Sequence, residues 1–79
     1  MVTITSVVPQ ENYTLYVEFS DGKKGTFDAK PYLQSGSMFT PLQDPSLFRS
    51  VTVFDDITIG WANGADLCPD CVYSETTFQ

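Results

Sequence analysis

The sequence predicts a small α+β domain, built on a mostly antiparallel sheet of about five strands in hairpins with one or two short helices. Three observations predict this class. Apolar and polar residues alternate with a period of two along Tyr13–Ser20, which is the pattern of a half-buried strand. Turn-forming residues at Asp21–Gly22 and Asp55–Asp56 each divide two strand-like runs, which indicates hairpins. A length of 79 residues leaves room for a single domain, which we expect to span 1–79.

The first hairpin can be given a register from its side chains. A two-residue loop would place Phe27 on the polar face of the sheet. A three-residue loop, Ser20–Gly22, instead places Phe27 across from Leu15. The same register brings together two opposite charges, Glu18 and Lys24, which favours the pairing. We therefore predict the three-residue loop, with its glycine in the left-handed conformation that such loops prefer.

The second hairpin lies between Val51 and Trp61. We predict a three-residue loop here too, Phe54–Asp56, because this register buries every apolar residue of the pair except Phe54. The predicted core combines the apolar faces of both hairpins: Leu15, Val17, Phe19, Phe27, Val51, Val53, Ile57, Ile59 and Trp61.

One further strand and two short helices complete the predicted elements. Val2–Val8 is rich in β-branched residues and is followed by a proline, which suits the end of a strand. Asp44 can cap a helix of at most two turns that begins at Pro45. The run Leu67–Tyr73 could open a last short helix, with a proline in its first turn. We expect the segment 28–44 to form turns and loop packed over one face of the sheet.

The charge of the chain excludes two classes of partner. Net charge is −6, and the only basic residues are Lys23, Lys24, Lys30 and Arg49. Binding to nucleic acid needs clustered basic residues that displace counterions from phosphates, and an anionic membrane surface makes a similar demand. We therefore expect neither partner, whereas a basic protein is electrostatically favoured. The N-terminal residues show no signal-peptide pattern and no apolar run approaches a membrane span, so we expect a cytoplasmic protein.

The sharpest local motif is the pair Cys68 and Cys71, with Pro69 and Asp70 between them. One interpretation is a redox dithiol at the start of a helix. Another is half of a zinc site shared between two chains, because a structural zinc ion wants four ligands and the chain has no histidine and no third cysteine. The third, which we favour, is that both cysteines are small apolar residues at a helix start. In that case the pair is neither catalytic nor metal-binding.

Other polar groups have ordinary structural interpretations. Asp55–Asp56 could bind a metal or act as an acid, but adjacent aspartates are also common in turns. Asp66 and Asp70 can compensate the dipole of the last helix. The absence of histidine excludes the usual Ser-His-Asp and Cys-His sets, and there is no glycine-rich phosphate loop. The aromatic residues that could form a ligand-stacking surface, or else cover the core, are Tyr13, Tyr16, Tyr32, Tyr73 and Trp61.

Several runs of this sequence occur together, in order, in one known family. The matching runs are Val7–Pro9, Tyr13–Gly22, Phe27–Asp28, Phe39–Leu42, Asp44–Pro45, Phe48, Ile59–Leu67, Pro69–Asp70 and Tyr73. They cover nearly the whole chain, which resembles the bacterial domain-of-unknown-function family numbered 2442. The resemblance implies a small α+β domain like the N-terminal domain of some helix-turn-helix proteins. This sequence contains no helix-turn-helix segment, so no DNA-binding role is carried over.

The resemblance also implies a kind of partner. Members of the family are often encoded beside a second small protein, of the domain-of-unknown-function family numbered 4160, in arrangements that resemble toxin–antitoxin pairs. The family has no agreed catalytic residues to transfer. We therefore predict a non-enzymatic protein-interaction module, antitoxin-like, that binds a small basic protein encoded nearby or self-associates by strand pairing. The alternative is a thiol-dependent redox protein that uses Cys68 and Cys71. We assign no catalytic, cofactor-binding or metal-binding residues and expect no cofactor.

Overall fold

The computed structural model describes residues 2–34, 36 and 38–79. The described chain contains seven strands and two α-helices, with short 3-10 turns between some of them. The strands are β1 (Ile4–Gln10), β2 (Thr14–Phe19), β3 (Lys24–Asp28), β4 (Thr52–Phe54), β5 (Thr58–Gly60), β6 (Asp66–Leu67) and β7 (Thr77–Phe78). The helices are α1 (Pro45–Phe48) and α2 (Pro69–Glu75). This confirms the predicted α+β class.

The strands form two antiparallel sheets rather than the single sheet of about five strands that we expected. The larger sheet has the order β1-β2-β3-β7 and the smaller the order β4-β5-β6. The two strands beyond the expected five are β6 and β7, which have only two residues each and carry no alternation long enough to be recognised in the sequence. The first hairpin has the predicted register, with Leu15 opposite Phe27 and Glu18 opposite Lys24. Its Gly22 has the expected left-handed backbone, with φ at 89°.

The second hairpin has a different register from the predicted one, because its three-residue loop lies one residue further along the chain. Val53 lies opposite Ile59, and Phe54 lies opposite Thr58, so the loop is 55–57 instead of 54–56. Ile57 therefore belongs to the turn and its side chain is 44% exposed, which makes its assignment to the core wrong. The physical reason is that the ring of Phe54 packs over Gly60, the one position of β5 with no side chain in its way.

A single cluster of buried residues joins the two sheets and α2. Seven of the nine predicted core residues are buried, and Val53 is only partly buried. The indole N–H of Trp61 donates to the Phe48 carbonyl at 3.0 Å, so the polar edge of this buried ring is satisfied. The buried apolar residues are Ile4, Leu15, Val17, Phe19, Phe27, Ala29, Leu33, Leu42, Phe48, Val51, Ile59, Trp61, Ala65, Leu67 and Val72.

Both helices begin where the sequence predicts. The Asp44 carboxylate accepts from the Ser46 amide at 3.0 Å and caps α1, which begins at Pro45. The helix α2 begins at Pro69. The predicted irregular segment 28–44 contains two 3-10 turns, Lys30–Gln34 and Thr40–Gln43. Its residues 35 and 37 lie outside the described residues.

The C-terminal strand β7 covers the edge of β3. A Cβ atom on Gly25 would lie 2.2 Å from the Thr77 carbonyl oxygen, so only glycine lets β7 approach this closely. The Gln79 amide also donates to the Lys24 carbonyl at 3.0 Å. The segment Lys24–Phe27 is therefore part of an inner strand and offers no open edge for strand pairing.

Candidate functional site

The two cysteine side chains lie together at the start of α2. Cys68 is the residue before the helix and Cys71 lies in its first turn, and both are exposed. Their Sγ atoms are 2.7 Å apart, and the Cys68 sulfur also accepts from the Cys71 amide at 3.4 Å. The predicted helix start therefore places the thiols in contact, as a local dithiol on the protein surface.

Acidic groups surround this dithiol. The hydroxyl of Tyr32 donates to the Glu75 carboxylate, and this hydrogen bond raises the pKa of Tyr32 to about 12. The contact with Cys68 raises the pKa of the Cys71 thiol above its ordinary value, with further contributions from desolvation and from the charges of Cys68, Glu75 and Asp70. A thiol held in its protonated form is a slow nucleophile, so this environment is the opposite of the one that activates a catalytic cysteine.

The described residues around the dithiol do not form a complete metal site. In the described residues, no group of three or more Cys, His, Asp or Glu side chains is arranged to hold a metal ion. Two sulfur atoms from one chain leave a tetrahedral zinc ion short of ligands. A zinc ion shared by two chains stays an untested alternative for Cys68 and Cys71.

The tip of the β4–β5 hairpin is an exposed apolar feature with acidic neighbours. The Phe54 carbonyl accepts from the Ile57 amide at 3.0 Å, which closes a turn around Asp55 and Asp56. Both aspartates have φ of 55°, the pattern of a type I′ turn. The turn leaves the apolar side chains of Phe54 and Ile57 about equally exposed, at 46% and 44%. We call Phe54–Ile57 the hairpin tip.

Strand β1 is the edge of the larger sheet and lies beside the hairpin tip. The Ile4 amide donates to the Ile57 carbonyl at 3.0 Å. The Phe19 amide donates to the Lys23 carbonyl, on the side of β2 that faces β3. Backbone groups two residues apart in a strand point the same way, so those of Val17 also point toward β3 and away from β1. Val7, which lies opposite Val17, therefore directs its backbone groups away from the sheet. Beyond Ile4, β1 has no second ladder partner in the described part of the chain. Val8, on the solvent face of the sheet, is 49% exposed.

A shallow cleft lies at the opposite end of β1. It encloses about 180 Å³ between the turn after β1 and helix α1. Asn12 and Tyr13 both have left-handed backbones in this turn, with φ of 59° and 58°. Asparagine tolerates this conformation, and Asn12 is the only sign of the turn in the sequence. We did not predict the turn. The lining residues are Gln10, Glu11, Asn12, Tyr13, Pro45, Phe48 and Arg49.

The aromatic residues mostly pack on the core instead of forming a ligand-stacking surface. The ring of Tyr13 meets that of Phe48 edge-on at 5.2 Å. Tyr73 meets Phe19 in the same way at 4.8 Å, and its hydroxyl donates to Asp21 at 2.7 Å. Tyr32 packs on Phe27 and Phe39. Trp61 is buried, and Tyr16 lies on the outer face of the sheet, opposite Val8 and Thr26.

The remaining predicted candidates, the aspartates, form no group in the described residues that could hold a metal ion. Asp55 and Asp56 are turn residues, as their ordinary interpretation requires. Asp70 lies in the first turn of α2, and Asp66 lies in β6. None of the helices in the described part of the chain has the length and apolar character needed to cross a membrane.

The chain matches a known protein family. The family described as "protein of unknown function (DUF2442)" matches residues 4–77, which is almost the entire chain. No curated protein and no solved structure matches.

Proposed function

Since the chain belongs to the DUF2442 family, whose description assigns no activity, we propose from its own surface that it is a non-enzymatic protein-interaction module. The observation that carries the proposal is the hairpin tip beside the edge strand β1. Two large apolar side chains, Phe54 and Ile57, are nearly half exposed next to a strand whose outward backbone groups have no ladder partner in the described residues. An exposed strand edge next to apolar side chains is a common docking place for a strand of another chain.

The charge of the chain favours a basic partner. The net charge is −6, and two of the carboxylates, Asp55 and Asp56, lie in the hairpin tip itself. No charged residue lies within Ile4–Gln10, so the strand edge carries none of the lysines that commonly protect edges. Because Pro9 lies inside β1 and the register is irregular between Ile4 and Ser6, the proposed pairing centres on Val7. The acidic surface speeds the encounter with a basic partner, and the apolar tip then supplies the contact that is buried on binding.

The cleft supports this interpretation by its size. Small-molecule sites usually enclose roughly 300 Å³ or more. The cleft beside Arg49 encloses about 180 Å³ and is open on one side. Its small volume and open shape suit contact with the side chain of a partner better than enclosure of a substrate away from water.

We propose more specifically that the partner is a small basic protein encoded beside this one, in an antitoxin-like pair, with self-association through β1 as the alternative. The test is co-expression with the product of the neighbouring gene, followed by size-exclusion chromatography at low and at high salt. We expect co-elution that weakens as salt rises, because surface charge attraction is screened.

A matched pair of variants locates the binding surface. Ile57 in the hairpin tip and Met38 are equally exposed apolar residues, at 44% and 45%. Met38 lies beside Asn63 and Gly64, in the turn at the other end of β5. We expect Ile57→Lys to abolish co-elution and Met38→Lys to preserve it. If both variants co-elute as the unsubstituted chain does, the hairpin tip is not the binding surface. If the chain neither co-elutes nor self-associates at tens of micromolar, on the order of weak specific binding, the interaction proposal fails.

A further inference from the structure

We propose that Cys68 and Cys71 are a site of reversible disulfide formation, closed by exchange with small-molecule disulfides of the glutathione class. This inference is independent of the proposed partner, because it concerns α2 and not the hairpin tip. It treats the pair as a modification site and not as a catalytic centre.

The local backbone holds the two thiols in position. Pro69 begins α2 directly after Cys68, so the first turn of the helix brings Cys71 back over it. The Cys71 amide donates to the Cys68 sulfur at 3.4 Å, which fixes the orientation of that side chain. The two Sγ atoms are already in contact at 2.7 Å. Since each cysteine is exposed and outside the core, closing the bond disturbs no buried packing.

The neighbouring groups favour a neutral product over a metal complex. A metal ion needs both sulfurs as thiolates, whereas a disulfide carries no charge. Asp70 and Glu75 are anionic neighbours, and together with the contact to Cys68 they oppose ionisation of Cys71. The part of the chain described by the structure also places no third cysteine, histidine or carboxylate at ligand distance. Disulfide closure therefore fits this site better than zinc.

The exchange has two steps. The thiolate of one cysteine attacks a sulfur of the small disulfide, forms a mixed disulfide and releases one small thiolate, which takes up a proton. The second cysteine then loses its proton and attacks the mixed disulfide, which releases the second small thiol. The two cysteines are oxidised by two electrons in total, and one small disulfide is reduced to two thiols. Because the second thiol is already in contact, the mixed disulfide is short-lived.

The experiment treats the whole chain with oxidised glutathione near pH 8, where thiolates are available. Remaining thiols are alkylated and the intact mass is measured. We expect the loss of two hydrogen atoms, no alkylation and no retained glutathione, with the closed form exceeding glutathione adducts by roughly tenfold or more. A reducing agent should restore both thiols. Cys71→Ser should instead retain one glutathione, because no second thiol can release it.

A spacing control tests whether disulfide closure requires contact between the two thiols or only the presence of two thiols in the chain. In Cys71→Ser combined with Ser74→Cys, the second thiol is six residues from Cys68, roughly 9 Å along the helix and beyond disulfide reach. This variant should retain two glutathiones while keeping the circular dichroism of the unsubstituted chain. The proposal is overturned if the unsubstituted chain also retains glutathione, if it forms disulfides only between chains, or if the reduced chain purifies with stoichiometric zinc.

Discussion

The sharpest stability prediction concerns Asp56→Gly in the hairpin tip. Asp56 has a left-handed backbone, with φ of 55°, and it is exposed. That conformation costs an ordinary residue about 1–2 kcal/mol, somewhat less for aspartate, and costs glycine almost nothing. Glycine loses more chain entropy on folding, so we expect a net stabilisation of about 0.5–1 kcal/mol. For a domain of this size that raises the Tm by about 2–8 °C.

The control is the same substitution at Asp66, an exposed residue of β6 whose backbone is not left-handed. Both substitutions remove one negative charge, so charge repulsion changes similarly in the two variants. Asp66→Gly should lower the Tm, because glycine weakens a strand. Thermal unfolding followed by circular dichroism measures both. If Asp56→Gly lowers the Tm as Asp66→Gly does, the turn at the hairpin tip does not have the backbone described here.

Three further predictions test the core, the sheet edge and the loss of stability at low pH. Trp61→Phe should destabilise the fold by about 2–4 kcal/mol in urea unfolding, because it leaves a cavity and orphans the Phe48 carbonyl; a loss well below this range contradicts the buried hydrogen bond. Gly25→Ala should displace β7 from the Thr77 contact and abolish hydrogen-exchange protection there, and retained protection contradicts the close approach. Hydrogen bonds hold the pKa of Asp21 below its ordinary value of 3.8, so the ionised carboxylate stabilises the folded state above that pH. This stabilisation is lost as the pH falls through the lowered pKa of the folded state. Asp21→Asn should therefore make the free energy of unfolding depend less on pH below about pH 4. If guanidinium unfolding gives the same pH dependence for the variant and the unsubstituted chain, this prediction is wrong.

How far the sequence predicts the fold is clearest from the two hairpins. In the first, alternation, an opposite-charge pair and a glycine all favour one register, and that register is observed. In the second, only burial of apolar residues guided the prediction, and the predicted loop was displaced by one residue. Packing of Phe54 over Gly60 and a turn formed by two aspartates outweigh the burial of Ile57. The two aspartates indicated a turn but not its register, and the packing of Phe54 over Gly60 leaves no pattern in the sequence.

The candidate sites show the same limit. The contact between Cys68 and Cys71 follows from the predicted helix start, which depends on neighbouring residues. The approach of Tyr32 to Glu75 joins residues far apart in the chain and has no local signal. The position of Ile57 beside β1 likewise arises only when the two sheets pack together. Local chemistry was therefore predictable, whereas contacts between distant segments were not.

The most direct test of the central claim is a map of the surface that binds the partner. The chain, labelled with nitrogen-15, is titrated with the co-purified product of the neighbouring gene, and amide chemical shifts are followed by NMR. The interaction proposal predicts that the largest changes fall on Val7, Val8 and the hairpin tip, Phe54–Ile57. Changes confined to the turn at Asn63–Gly64, or to the cleft beside Arg49, would contradict it.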